Sequence, residues 1–118
     1  MLFRSLNIAD LNWGTSSAST VTLSFWVYSS IGGTHGGLIQ NSNGDRAYPF
    51  TYSVSTANTW QYQTITIPGD TTGSWFSNTG VGMYLIYPLG TGSTYTNGTN
   101  NTWNSGNKYP SEIGRAHV

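Results

Sequence analysis

From Val21 to Val27 the chain alternates: Val21, Leu23, Phe25 and Val27 are apolar, with Thr22, Ser24 and Trp26 between them. A period of two is the pattern of a strand with one face on a core. The same alternation returns in "WQYQTITIPGD", with Ile65 and Ile67 on one side and Tyr62, Thr64 and Thr66 on the other. It recurs in "VGMYLIYPL", where Val81, Met83 and Leu85 oppose Tyr84 and Ile86. "AYPFTYSV" places Phe50, Tyr52 and Val54 on one face. Pro49 has no N–H to give to a ladder, so this strand is expected at a sheet edge or with a bulge. "LFRSLNI" reads as a further strand, "IADLNWG" as a short helical turn, and "LIQNS" as a short strand entering the turn "NSNGD". The glycines of "IGGTHGG" read as punctuation before that strand, and Pro68-Gly69 as the centre of a type II turn. No amphipathic helix of useful length interrupts the series. Strands with turn signals at short intervals argue for an all-β fold, an antiparallel β-sandwich or jelly roll.

After Leu89 the alternation stops. "GTGSTYTNGTNNTWNSGNKYP" is too long for a structureless connection in a compact domain. It is expected to be a working loop, or to lead into a strand that this chain does not contain. The closing "SEIGRAHV" differs again, being rich in charge. The codons GAG ATC GGA AGA GCA CAC GTC encode residues 112–118, and from the second base onward that string resembles a widely used short-read sequencing adapter. Residues 1–111 are therefore expected to be a single β-sandwich domain, partial at its C-terminus. Residues 112–118 are expected to be translated adapter, which leaves His117 without a role.

Composition narrows the function. A chain of 118 residues makes one domain. Only 7% of residues are charged and the formal net charge is zero, so there is no basic stripe for nucleic acid and no polybasic membrane anchor. No stretch approaches the length of a membrane span. Cysteine is absent, which removes disulfides and thiolate chemistry. Aromatics at 14%, with abundant Thr and Gly, support the all-β reading and argue against disorder.

Catalysis finds little to work with. Asp45 and Asp70 both sit in turn-forming sequence, where an aspartate builds the turn through its side chain. His35 has no second histidine with which to bind a metal, and no G-x-S-x-G elbow accompanies it. A non-enzymatic protein without metal or cofactor is expected. What remains is aromatic rings beside amides and hydroxyls, the pairing that suits a sugar: its C–H face packs on a flat ring and its hydroxyls hydrogen-bond. The candidates are Trp75 and Phe76 in "GSWFSN", Tyr95 and Trp103 in the long loop, and Trp26, Tyr28 and Tyr84 on strand faces away from the core. Aromatics of small sandwiches mostly fill the core or cover its ends, and Trp26 and Trp60 are expected to do so.

"LNWGTSSASTVTLSFWVYSS", then "ANTWQYQTITIPGDTTGSW", then "LGTGSTYTNGTNNTW" together resemble a jelly-roll module of structural and tail-fibre proteins of tailed bacteriophages. Their layout is similar to that of a group of carbohydrate-binding modules. The resemblance spans Asn12 to Trp103 and rests on the order of the motifs. It implies a module of a phage virion or tail fibre, located in the particle, whose partners are host-surface glycan and other virion subunits or domains of a longer chain. Two alternatives stay open: a purely structural virion domain, and a carbohydrate-binding module of a bacterial glycoside hydrolase. The related modules often hold calcium through acidic residues near both ends; here only Asp10 remains, so no metal is expected.

Overall fold

A computed structural model describes the backbone of residues 2–6 and the full residues 8–76, 81–88 and 98–110. The chain is an all-β sandwich of two antiparallel sheets. Its strands are β1 (Leu2–Leu6), β2 (Val21–Val27), β3 (Gly33–Asn41), β4 (Arg46–Val54), β5 (Gln61–Ile67), β6 (Val81–Ile86) and β7 (Asn104–Ser105), with a single 3-10 turn at Ala9–Leu11. One sheet has the order β1-β6-β3-β4-β7; the other is the pair β2-β5. The pairings nest, β3 with β4, β2 with β5 and β1 with β6. That is the wrapped-hairpin connectivity of a jelly roll in reduced form.

The alternation read in the sequence becomes the two faces of these strands. Ile39, Tyr48, Phe50 and Ile67 meet between the sheets, joined by Ile8, Trp13 and Trp75 from the connections. Leu38, Ala47 and Pro49, of opposite parity, are also buried. The chain following β7 reaches that far face, where Gln40 Nε2 donates to Asn107 Oδ1 at 2.7 Å. Pro49 behaves as its chemistry demands. Its carbonyl turns away from β3 and accepts from Asn101 N at 2.6 Å, and in an antiparallel strand the nitrogen of the same residue faces the same way. The missing N–H thus lies on the outer edge of β4, which β7 covers only at Arg46 and Ala47.

Two glycine readings are corrected. The "GGTHGG" stretch is strand rather than punctuation: Gly33 to Gln40 pair residue by residue with Val54 to Ala47. Gly37 is there because Phe50 lies over it; a Cβ at this position would stand 2.6 Å from Phe50 Cζ and 3.1 Å from Tyr87 Cδ1. Gly69 does not adopt the positive φ of a type II turn. It is needed for a close approach instead, since a Cβ there would lie 2.7 Å from Ala18 and from Ser19 O.

The β2-β5 pair is thin for its task. Among the described residues each strand pairs only with the other, and Val21, Leu23, Phe25 and Val27 stay half-buried on the core side. On the β5 side two glutamines bridge to β4, Gln63 Nε2 donating to Ser53 O at 2.8 Å and Gln61 Nε2 to Ser55 Oγ at 2.6 Å. Replacing Gly37 by Ala is expected to destabilise the fold by about 1–3 kcal/mol through overpacking against Phe50; a urea midpoint equal to that of the parent protein would count against this packing.

Candidate functional site

The loop after β5 gathers most of the polar chemistry. Asp70 is 1% exposed, and Arg46 grips it with two parallel bonds, Nε to Oδ2 and Nη2 to Oδ1, each 2.8 Å. Trp75 Nε1 donates to Oδ2 at 3.0 Å, and Thr72 N and Oγ1 approach Oδ1 at 3.3 Å. Burial by itself would push the Asp70 carboxyl up; the bonds from Arg46, Trp75 and Thr72 and the guanidinium charge outweigh it and hold the group below the usual carboxylate range. The hydrogen bond to Asp70 raises Arg46 further still. Asn41, wholly buried, continues the network. Its Oδ1 accepts from Asp45 N and Arg46 N, and its Nδ2 donates to Asp45 Oδ1 and to Ser74 O. Every one of these groups answers another. The network makes Asp70 an anchor for the loop after β5.

Trp75, Trp103 and Trp13 stand edge-to-face around this anchor with centroids 4.8–5.4 Å apart. Trp75 is 9% exposed. What remains accessible of it borders a hollow of about 390 Å³ shared with Asn12, Trp13, Thr15 and Ser74. Trp103 is half-buried, donates its indole N–H to Pro68 O at 2.8 Å and also packs on Tyr48 at 5.3 Å. The fold itself therefore engages both rings. Tyr95 lies outside the described residues. Tyr84 sits on β6, half-buried between Arg4 of β1 and Gln40 of β3, in the cross-strand row that runs on through Ala47 of β4 to Asn104 of β7. Of the expected ligand residues that the structure describes, Trp75 and Trp103 come together, while β3 and β4 separate Tyr84 from β7. His35 is buried in β3, stacked on Tyr52 at 5.8 Å, with Nε2 3.2 Å from Ile31 O.

The exposed aromatics lie elsewhere. Trp26, Tyr28, Trp60 and Tyr62 are 63%, 51%, 64% and 55% exposed on the outer face of β2-β5. Trp26 lies directly across from Tyr62, with centroids 5.3 Å apart, and Tyr28 meets Trp60 at 5.4 Å, both pairs tilted. The expectation that Trp26 and Trp60 fill the core is overturned, because both fall out of phase with the inward positions of their strands and nothing among the described residues covers the outer face. The signal was present as Trp-x-Tyr in each strand, Trp26-Val27-Tyr28 and Trp60-Gln61-Tyr62, in the parity opposite to Phe25 and Ile65.

Under the open side of β2 lies an apolar cleft of about 420 Å³, lined by Leu23, Phe25 and Val27 on one wall and by Tyr52, Leu85 and Tyr87 on the other. Burial raises the phenol pKa of Tyr52 and of Tyr87, with Tyr52 adding to the shift at Tyr87. Among the described residues no group of three or more His, Cys, Asp or Glu side chains is placed to hold a metal ion, and no helix is long and apolar enough to cross a membrane.

Compared with known proteins, the chain matches no family model, no curated protein and no solved structure. The geometry alone must carry a functional reading.

Two outcomes follow from the anchor. Because the folded carboxyl of Asp70 titrates below its unfolded value, its contribution is complete above the ordinary aspartate range and is lost as pH falls through the folded value. Urea midpoints are expected to fall as pH drops below the ordinary aspartate range, and Asp70→Asn should flatten that fall; a parallel decline in the variant would assign it to other groups. Trp103→Ala, which removes a ring packed on three others, is expected to destabilise by about 3–5 kcal/mol. Unchanged stability would return Trp103 to the surface.

Proposed function

We propose that this protein is a non-catalytic β-sandwich module that contacts carbohydrate. The observation that carries the reading is the exposed platform of Trp26, Tyr28, Trp60 and Tyr62. Large rings left in water on the outer face of a strand pair are poorly suited to a monomer's surface, and rimmed apolar patches of this kind mark contact sites. Pyranose rings offer the matching surface, an apolar C–H face bordered by hydroxyls. On this reading the binding residues are the strand aromatics Trp26, Tyr28, Trp60 and Tyr62, while Trp75 and Trp103 are engaged by the fold. The setting in a phage virion or tail fibre, with host-surface glycan as the target, rests on the resemblance of the three sequence stretches quoted above.

A second reading has its own observation. The cleft beneath β2 and the unpaired edges of the β2-β5 pair suit packing against a neighbouring subunit or domain, as a purely structural virion module would need. Aromatics are enriched at such interfaces too.

Titration of soluble oligosaccharides against the protein separates the two. Trp26→Ala and Trp60→Ala are each expected to weaken binding about tenfold, or about 1.4 kcal/mol. Both should leave the unfolding free energy, from urea titration, within about 0.5 kcal/mol of the parent. Binding unaffected by both substitutions would remove the platform from the site, and no binding to any sugar would favour the structural role.

A further inference from the structure

The outer face of β2-β5 continues past its rings. Across from one another beyond Trp26 and Tyr62 stand Ser24 with Thr64, then Thr22 with Thr66. All eight residues of this face are exposed and none is charged. The pairing runs without a bulge from Val21 opposite Ile67 to Val27 opposite Gln61, so the two rows stay level and in step. Successive outward side chains on a strand are about 7 Å apart and neighbouring strands about 4.8 Å. Each row of four positions therefore extends about 20 Å, one half aromatic and the other hydroxyl.

The hydroxyls are available. Among the described residues, Thr22, Ser24, Thr64 and Thr66 have no side-chain hydrogen bond to the protein, whereas Thr15 and Thr72 direct theirs to nearby groups. A hydroxyl both donates and accepts, which suits the hydroxyls of a sugar. The lack of charge is equally selective. A carboxylated, sulfated or phosphorylated glycan would surrender hydration here without meeting a cation.

We propose that this face binds a neutral, linear glycan lying parallel to the strands, one sugar ring stacked on each of the two aromatic pairs and the following rings held by the Ser24/Thr64 and Thr22/Thr66 hydroxyls. The inference rests on the carbohydrate reading above and adds to it the direction, the extent and the charge class of the ligand. Shape supports the linear form, because the face is one strand pair wide and several sugars long.

The test measures affinity of the full chain for the disaccharide and hexasaccharide of three neutral series, malto-, cello- and manno-oligosaccharides, and for a hyaluronan hexasaccharide as the anionic probe. In the parent protein at least one neutral hexasaccharide is expected to bind about tenfold more tightly than its disaccharide, and more tightly than hyaluronan. The double variant Thr64→Val, Thr66→Val keeps side-chain shape and strand preference. It is expected to lose that length advantage while holding the disaccharide within about twofold. Trp26→Ala should weaken both lengths alike. If the disaccharide binds through Trp26 but length brings nothing, or the valine variant retains the advantage, the hydroxyl rows are not part of the site and this inference fails while the carbohydrate reading stands. Preference for hyaluronan would likewise overturn the neutral class alone. Failure of every probe to bind the folded parent would overturn both.

Discussion

The ion pair that half-buried Arg46 makes with the buried Asp70 is the constraint on which the rest of the sandwich leans. A carboxylate taken out of water must be answered by charge and by hydrogen bonds, and here both come from different parts of the chain. Arg46 begins β4, Trp75 lies beyond the loop, and Gly14 N binds the Asp70 carbonyl at 2.7 Å. Two segments distant in sequence, at Gly14 and Arg46, thus meet on one residue. Once Asp70 is seated, Pro68 presents its carbonyl to Trp103, and Trp13, Trp75 and Trp103 close around the junction. The end of β5 is tied to β4 in this way, so the narrow sheet is fastened at one end to the broad one.

That fastening explains an otherwise precarious second layer. Two strands alone are marginal in water, and the inward residues of β2 remain half-buried. Ile67, at the anchored end of β5, is fully buried, while Phe25 and Val27 border the open cleft farther along. Burial thus declines along the pair away from the anchor. Among the described residues the same thinness leaves the outer face of β2-β5 bare. Core side and exposed aromatic face are two sides of one strand pair, separated only by the alternation of side chains.

Much of this was legible in the residues, and for a simple reason. Strand alternation is local, so β2, β4, β5 and β6 and the faces of their side chains could be read directly, and Pro49 announced an edge through its missing N–H. The outward parity of Trp26 and Tyr62 was legible by the same rule. The general tendency of large rings to be buried pointed the other way for Trp26, and the local phase prevailed because none of the described residues forms a third layer over that face. Glycine misled the reading in β3, since a residue that usually breaks a strand was there to admit the Phe50 ring.

What the sequence by itself determined is therefore the class of the fold, the strands, and which residues share a face, because these follow from a period of two and from backbone chemistry within a few residues. Only the tertiary structure decided which strands are neighbours, that Asp70 would find Arg46, and that Trp75 and Trp103 would be drawn into the junction while Trp26 and Trp60 were left in water. Those outcomes depend on contacts between segments brought together from along the chain, such as Arg46 with Asp70, 24 positions apart, and Pro68 with Trp103, 35 apart. No local pattern encodes them: an isolated aspartate in a turn looks the same whether its partner is water or a guanidinium.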